Sequence, residues 1–317
     1  MVNMSDITNA GKVIEGYVHT TPILTSSSIN RMLGMSLRFK CENLQKVGAF
    51  KARGACNTVF SLSEEEAARG VATHSSGNHG AALAYAASIR GITAYVVMPE
   101  NAPGIKKVAV DSYGAKIVEC GTGQGDRQDT LDAVVADTGA HFVSSSDDNR
   151  VIAGQGTAAV EFYDQLGDEN IDFLFCPVGG GGLLAGCAIA SKHISPKTKV
   201  IAAEPLGAND ASIGFIKGER ITDFVPDTIA DGLRTAVGVR NFPIIQKYVD
   251  DIITVKEESI INAMRTVWER MKILIEPSSA VPLAALFERK EDFIEAKIGM
   301  VLSGGNVDLG HLPWINS

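Results

Sequence analysis

Apolar and polar positions along this chain alternate with two different periods, and the switches between them mark its elements. Between residues 70 and 143, short apolar runs at 70–73, 94–98, 116–120 and 141–143 have the length and composition of strands. The stretches between them, 80–90, 102–113 and 124–138, carry helical spacing. Strand and helix in strict alternation predict a parallel sheet with crossover helices. The alternation resumes with a helix at 155–166, a strand at 173–178, a helix at 183–193 and a strand at 199–204.

Ahead of this, a helix over 5–20, with Ser5 as its N-cap, is ended by the Thr21-Pro22 step. A strand at 37–41 and a helix at 49–60 follow, and Ser63 opens a helix with Glu64, Glu65 and Glu66 in its first turn. Residues 205–250, broken by Pro205, Gly207, Gly214, Gly218, Pro226 and Gly238, are less regular. Helices at 257–271 and 280–289 and a strand at 298–302 close an α/β chain.

At 317 residues the chain has room for about two domains. A net charge of −8 argues against a nucleic-acid partner, which needs a basic face. Cys41, Cys56, Cys120, Cys176 and Cys187 lack metal-ligand spacing and several sit in apolar runs, as free thiols in a reducing compartment do. The first fifteen residues are polar and no apolar run reaches membrane-spanning length. A cytoplasmic protein without nucleic-acid or membrane partners is the expectation.

The chemistry gathers at strand ends. Gly48-Ala49-Phe50-Lys51-Ala52-Arg53-Gly54-Ala55 places a lysine in a glycine-bounded apolar turn that opens a helix. An enclosed lysine has a lowered pKa and becomes a nucleophile able to form a Schiff base, whereas an ordinary lysine there is a solvated surface group. Gly179-Gly180-Gly181-Gly182 runs from a strand into a helix, so converging backbone N–H groups and the helix N-terminus suit a phosphate. Gly180, Gly182 and Ala185, with Glu204 ending the next strand, also fit a dinucleotide fingerprint, which keeps an NAD-dependent dehydrogenase open. The loop Ser75-Ser76-Gly77-Asn78-His79 could hold a carboxylate at a helix N-terminus, or simply cap that helix. A third polar loop, Ser303-Gly304-Gly305-Asn306, follows the last strand, where open α/β sheets bind ligands.

These loops, with Lys40-Cys41-Glu42-Asn43-Leu44-Gln45, Gly154-Gln155-Gly156-Thr157, Thr228-Ile229-Ala230-Asp231-Gly232 and Glu276-Pro277-Ser278-Ser279, resemble in order and spacing the fold-type II pyridoxal-phosphate enzymes. Within that group the chain is similar to the serine racemase and threonine/serine dehydratase family, from residue 20 to residue 310. The resemblance implies a tryptophan synthase β-like fold of two open parallel-sheet α/β domains. Residues 1–68 and 148–317 would form a large cofactor domain, and 69–147 a small inserted domain carrying the substrate loop. It implies Lys51 as the Schiff-base lysine that also moves the α-proton, and Gly179, Gly180, Gly181, Gly182 and Leu183 as the phosphate cradle. Phe50, Asn78 and Gly232 would flank the cofactor ring, with Asn78 near its phenolic oxygen and Ser303 facing its nitrogen. Serine cannot keep that nitrogen protonated, so the ring would be a weaker electron sink. Ser75, Ser76, Gly77, Asn78 and His79 would take the substrate carboxylate.

Racemisation needs proton donors on two faces, and the resemblance places Ser76 opposite Lys51. Racemases of the family carry serine there, where threonine dehydratases commonly carry alanine. Arg127 would reach the substrate side chain or a second carboxylate. Glu204, the Ala208 carbonyl and Asp210 resemble a divalent-cation site for Mg²⁺, or Ca²⁺ or Mn²⁺. The implied activity is interconversion of L- and D-serine with dehydration to pyruvate and ammonia, in a homodimer. A threonine or 3-hydroxyaspartate ammonia-lyase is the alternative within the same chemistry, and the dehydrogenase or a non-catalytic binding protein the alternative outside it.

Overall fold

The computed structural model describes residues 1–102 and 104–315. Helix α1 (Met4–Val13) is capped by Asn3, whose side chain accepts from the Ser5 and Asp6 N–H groups while Asp6 accepts from the Asn3 N–H. Ser5 therefore lies inside the first turn, and α1 stops at Val13, short of the expected residue 20; Gly16 beyond it takes a φ of 79°. Next come β1 (Ile23–Leu24), α2 (Ser27–Leu33), β2 (Ser36–Cys41), α3 (Lys51–Phe60) and α4 (Glu64–Ala68). The central run is β3 (Val71–His74), α5 (Asn78–Arg90), β4 (Ala94–Pro99), α6 (Gly104–Asp111), β5 (Lys116–Cys120), α7 (Gln124–Thr138) and β6 (His141–Phe142). After it lie α8 (Asn149–Leu166), β7 (Phe173–Pro177), α9 (Gly182–Ile194), β8 (Lys199–Pro205), α10 (Asp210–Lys217) and α11 (Asn241–Tyr248). The chain ends with β9 (Asp251–Val255), α12 (Glu257–Met271), α13 (Pro277–Glu288) and β10 (Lys297–Leu302).

Two sheets result. One, of order β5-β4-β3-β6, is parallel throughout and uses only the central run. The other, β1-β2-β10-β7-β8-β9, is parallel except for the short β1 edge. The last strand, β10, closes this sheet from within: Met300 lies opposite Phe39 on one side and Phe175 on the other. Side chains alternate between faces, as the pleat requires. Leu174 and Cys176 pack with Ile7, Ile152 and Leu184 under α1, α8 and α9, while Phe175 packs with Met264 and Leu283 under α12 and α13. The smaller sheet divides likewise, Val96 and Met98 facing Leu83 and Val97 facing Leu131.

The stretch 205–250, read as irregular, in fact holds α10 and α11, and β9 follows it. Helix α8 starts at Asn149, ahead of the expected 155, because Asp148 caps it through the N–H groups of Arg150 and Val151. All five cysteines are buried and free. Among the described residues no helix is long and apolar enough to cross a membrane.

Candidate active site

Lys51 is the first residue of α3 and Phe50 its N-cap, with no side chain capping the helix. The turn before it is held by the loop after β10. Phe50 N donates to Ser303 O at 3.0 Å, Gly305 N donates to Gly48 O at 2.9 Å, and Ala49 bridges Gly304. Gly48 takes a φ of 69°, and a Cβ there would meet Asn306 Oδ1 at 2.7 Å. So fixed, Lys51 Nζ donates to Ser145 O at 2.6 Å and lies 5.0 Å from the centroid of the Phe50 ring. Burial lowers its pKa to about 8, against the opposing pull of the Glu276 carboxylate. A substantial neutral fraction near pH 8 makes this amine a competent nucleophile and base.

The glycine tetrad leads from β7 into α9. Gly181 is the N-cap with a φ of 88°, and no side chain caps the helix. A Cβ on Gly179 would meet Leu233 Cα at 2.7 Å, and one on Gly182 would meet Ser146 O at 2.8 Å, so the loop is pressed against two other segments. Asn241 Nδ2 ties it down, donating to Gly180 O at 2.6 Å and Ser146 O at 3.0 Å. Leu183 behind it is buried. The result is a rigid helix N-terminus suited to an anion.

From the other sheet, β3 delivers Ser75, Ser76 and Gly77 to the start of α5, whose N-cap, Gly77, likewise carries no side-chain cap. Ser75 Oγ accepts from Gly77 N at 3.3 Å, and Ser76 is half-buried. His79 is buried with Nε2 at 3.1 Å from Val143 O; burial and the nearby Lys51 push its pKa down to about 3, so the neutral ring donates to that carbonyl. Asn78 Nδ2 donates to both Glu276 oxygens, at 2.9 and 3.0 Å, and its Oδ1 accepts from Asn306 Nδ2 at 2.9 Å. Gly232 N donates to Ser278 Oγ at 3.0 Å, two residues beyond Glu276, and Ser303 is buried at the β10 end. Arg127, on α7, keeps a buried Nε without a partner among the described residues, and its charge lowers the pKa of His74 after burial has done so. The amine, the phosphate-type cradle and the carboxylate-type loop thus come from both sheets.

The family model for pyridoxal-phosphate dependent enzymes matches residues 14–304. The chain belongs to this family. It is 50% identical to the serine racemase of Dictyostelium discoideum, over 99% of this chain and 98% of that one. The crystal structure of that racemase superposes with a TM-score of 0.92, covering 97% of this chain and 99% of the other. The β-hydroxyaspartate dehydratase of Paracoccus denitrificans is 45% identical over 98% of both chains.

The residues present fit pyridoxal phosphate. Lys51 supplies a partly neutral amine, and the tetrad a helix N-terminus without a side-chain cap, held in place by its close approach to Leu233 and Ser146. The acid that a dinucleotide reading needs is committed elsewhere: Glu204 oxygens accept from Ser212 N at 2.6 Å and Ala211 N at 3.3 Å, capping α10. Asp210 Oδ2 accepts from Val237 N at 2.9 Å, and Ala208 is buried beside it in sequence. Burial raises the pKa of Glu204 to about 8, with Asp210 adding to it, and that of Asp210 to about 6. Among the described residues no cluster of three or more His, Cys, Asp or Glu is set to hold a metal.

Three contributors were not singled out from sequence. Ser145 and Ser146 hold the amine and the tetrad, and their signal was present as a further polar loop, Ser144-Ser145-Ser146, at a strand end. Asn241, in the stretch that reads as irregular, had no such signal.

Proposed function

We propose that this chain is a serine racemase that also eliminates water from serine. The observation carrying the reading is a partly neutral Lys51 amine whose charge is felt by His79 and Glu276, the latter held by Asn78 at the start of α5, in a chain similar over its length to a racemase. Pyridoxal phosphate, when bound, withdraws electrons from the substrate and makes its α-proton acidic. Lys51 binds it, and Gly179, Gly180, Gly181, Gly182 and Leu183 hold its phosphate. Phe50, Asn78, Gly232 and Ser303 surround its ring. Ser75, Ser76, Gly77, Asn78 and His79 hold the substrate carboxylate, His79 through its backbone, since its ring is engaged by Val143. Lys51 Nζ takes the α-proton on one face, and Ser76 Oγ returns one on the other. In the elimination the β-hydroxyl leaves as water, and a water then hydrolyses the carbon–nitrogen double bond of the released enamine's imine form, giving pyruvate and ammonia.

Ser76→Ala tests this directly: D-serine formation is lost while most of the elimination from L-serine survives. Equal loss of both activities removes Ser76 as the second proton donor.

A second reading, 3-hydroxyaspartate ammonia-lyase, draws support from the unpartnered Arg127 Nε, which suits a second carboxylate, and from the dehydratase relative. Arg127→Met then lowers turnover of 3-hydroxyaspartate and leaves serine untouched.

Glu204, Asp210 and the Ala208 carbonyl serve as a structural site for Mg²⁺ or another hard divalent cation, supported by two buried carboxylates whose ionisation burial opposes. A chelator lowers the melting temperature of the wild type but not of Asp210→Ala; a chelator without effect removes the metal. The 69–147 unit acts as the substrate-loop domain, and the assembly is a homodimer, which light scattering decides.

A further inference from the structure

Glu276 is a buried carboxylate to which the chemistry above gives no task. It caps the start of α13 in position only, since its side chain points to other segments. Asn78 Nδ2, in the smaller-sheet half, donates to Glu276 Oε1 at 2.9 Å and Oε2 at 3.0 Å, across a sequence separation of 198 residues. Asn306 N donates to Glu276 Oε2 at 3.2 Å, and Asn306 Nδ2 donates to Asn78 Oδ1 at 2.9 Å. Gly304 is pressed against the same group, for a Cβ there would meet Glu276 Oε1 at 2.7 Å.

The pattern fixes which way the Asn78 amide points. A carboxylate accepts only, so it faces Nδ2; the Asn306 amide donates through its nitrogen, so it faces Oδ1. Two nearly equal distances from Nδ2 place one N–H between the carboxylate oxygens, which leaves the second N–H for another acceptor. A glutamine at 276 would bring its own NH₂ against the Asn78 or the Asn306 donor, so the ring of contacts calls for an acid. Burial, with Asp231 adding to it, raises the Glu276 pKa to about 7, and the Asn78 and Asn306 donors are what favour the charged form.

We propose that Glu276 is a positioning residue that locks the Asn78 amide with its second N–H turned toward the ring oxygen of bound pyridoxal phosphate. The inference rests on the proposed placement of Asn78 beside that oxygen. It acts through Asn78, so its effects are confined to what Asn78 senses.

The test compares holoenzymes: wild type, Glu276→Gln, Glu276→Leu, Asn78→Ala, and each Glu276 change combined with Asn78→Ala. The readouts are the position of the visible cofactor band, its pH profile, and the dissociation constant for pyridoxal phosphate. Glu276→Leu and Asn78→Ala move the band in the same direction and weaken cofactor binding about tenfold, the scale of one charge-assisted hydrogen bond. Glu276→Gln, which keeps one acceptor, gives an intermediate value. Neither Glu276 change adds to Asn78→Ala. If Glu276→Leu fails to fold, the Glu276→Gln series decides alone. A band and affinity indifferent to both Glu276 changes overturn the proposal, as does the same shift with and without Asn78. A wild-type protein with no visible band at all sinks the cofactor reading itself.

Discussion

At the scale of single residues, the site sets a lysine and a glutamate against their ordinary ionisation. Without cofactor, the folded Lys51 amine has a pKa of about 8 against an ordinary value of 10.5. Between those values the unfolded chain holds a proton that the folded chain has shed, so stability rises with pH across that window. Below pH 8 both states are protonated and the penalty of the buried ammonium is felt in full. Lys51→Met is therefore expected to raise the melting temperature of the cofactor-free protein at neutral pH, with the gain shrinking from pH 8 toward 10.5. Melting curves of the two proteins across pH check this, and a difference independent of pH removes the assignment. Glu276 has the opposite slope: its folded pKa is about 7 against 4.5, so stability falls as pH rises through that interval. Glu276→Gln flattens this fall, measurable in the same curves.

At the scale of elements, the site stands on three helices packed unusually close. Gly154 and Gly156, two positions apart, lie on opposite faces of α8. A Cβ on Gly154 would meet Gly54 Cα of α3 at 2.6 Å, and one on Gly186 of α9 would meet Gly156 N at 2.5 Å. The helix bearing Lys51 and the helix that the glycine tetrad opens are thus spaced by backbone contacts through α8. Gly154→Ala overpacks that contact and is expected to cost about 1–3 kcal/mol. Gly11→Ala, in α1, where a Cβ meets nothing within 4 Å, serves as the control and stabilises by about 0.5–1 kcal/mol. Urea unfolding separates the two. A buried ion cluster adds a second tie. Arg53, two residues beyond Lys51, donates to both Glu42 oxygens, at 2.7 and 2.8 Å, and to Glu161, which also takes the fully buried Lys40 at 2.6 Å. Arg53→Met strands the buried Glu42 carboxylate and is expected to cost about 3–5 kcal/mol in the same assay. The Lys40-to-Gln45 and Gly154-to-Thr157 motifs were visible in the sequence. Their purpose was not, because a salt-bridge partner or a helix crossing has no local pattern.

At the scale of the whole molecule, function follows from where strands end. Strands β2, β3, β7 and β10 were legible from apolar runs, and the loops after them from their glycines and hydroxyls. Lys51, the tetrad and the Ser75-Ser76-Gly77 loop were readable because their chemistry is local. Strand β1, two residues long, has no period to read, and α11 contains Pro243, so neither showed. Glu276 stayed without a role because its partners, Asn78 and Asn306, lie on other loops and one on the other sheet. That same separation makes the cofactor a brace. Its proposed contacts come from both halves, and the direct ties across them include the Asn78–Glu276 bonds and the Lys106–Asp231 pair at 2.6 Å. The pair is partly exposed, so it contributes little by itself. A ligand that binds only the folded chain stabilises it by about 2.7 kcal/mol at a hundred times its dissociation constant. Stripping pyridoxal phosphate should therefore lower the melting temperature and speed amide hydrogen exchange most within residues 69–147, away from the seam where Cys56 and Val59 of α3 pack against Leu83 of α5. Adding it back should reverse both, and NAD should reverse neither. Equal exchange in the two halves after stripping would show that the halves are joined by their own packing, and the brace would be wrong.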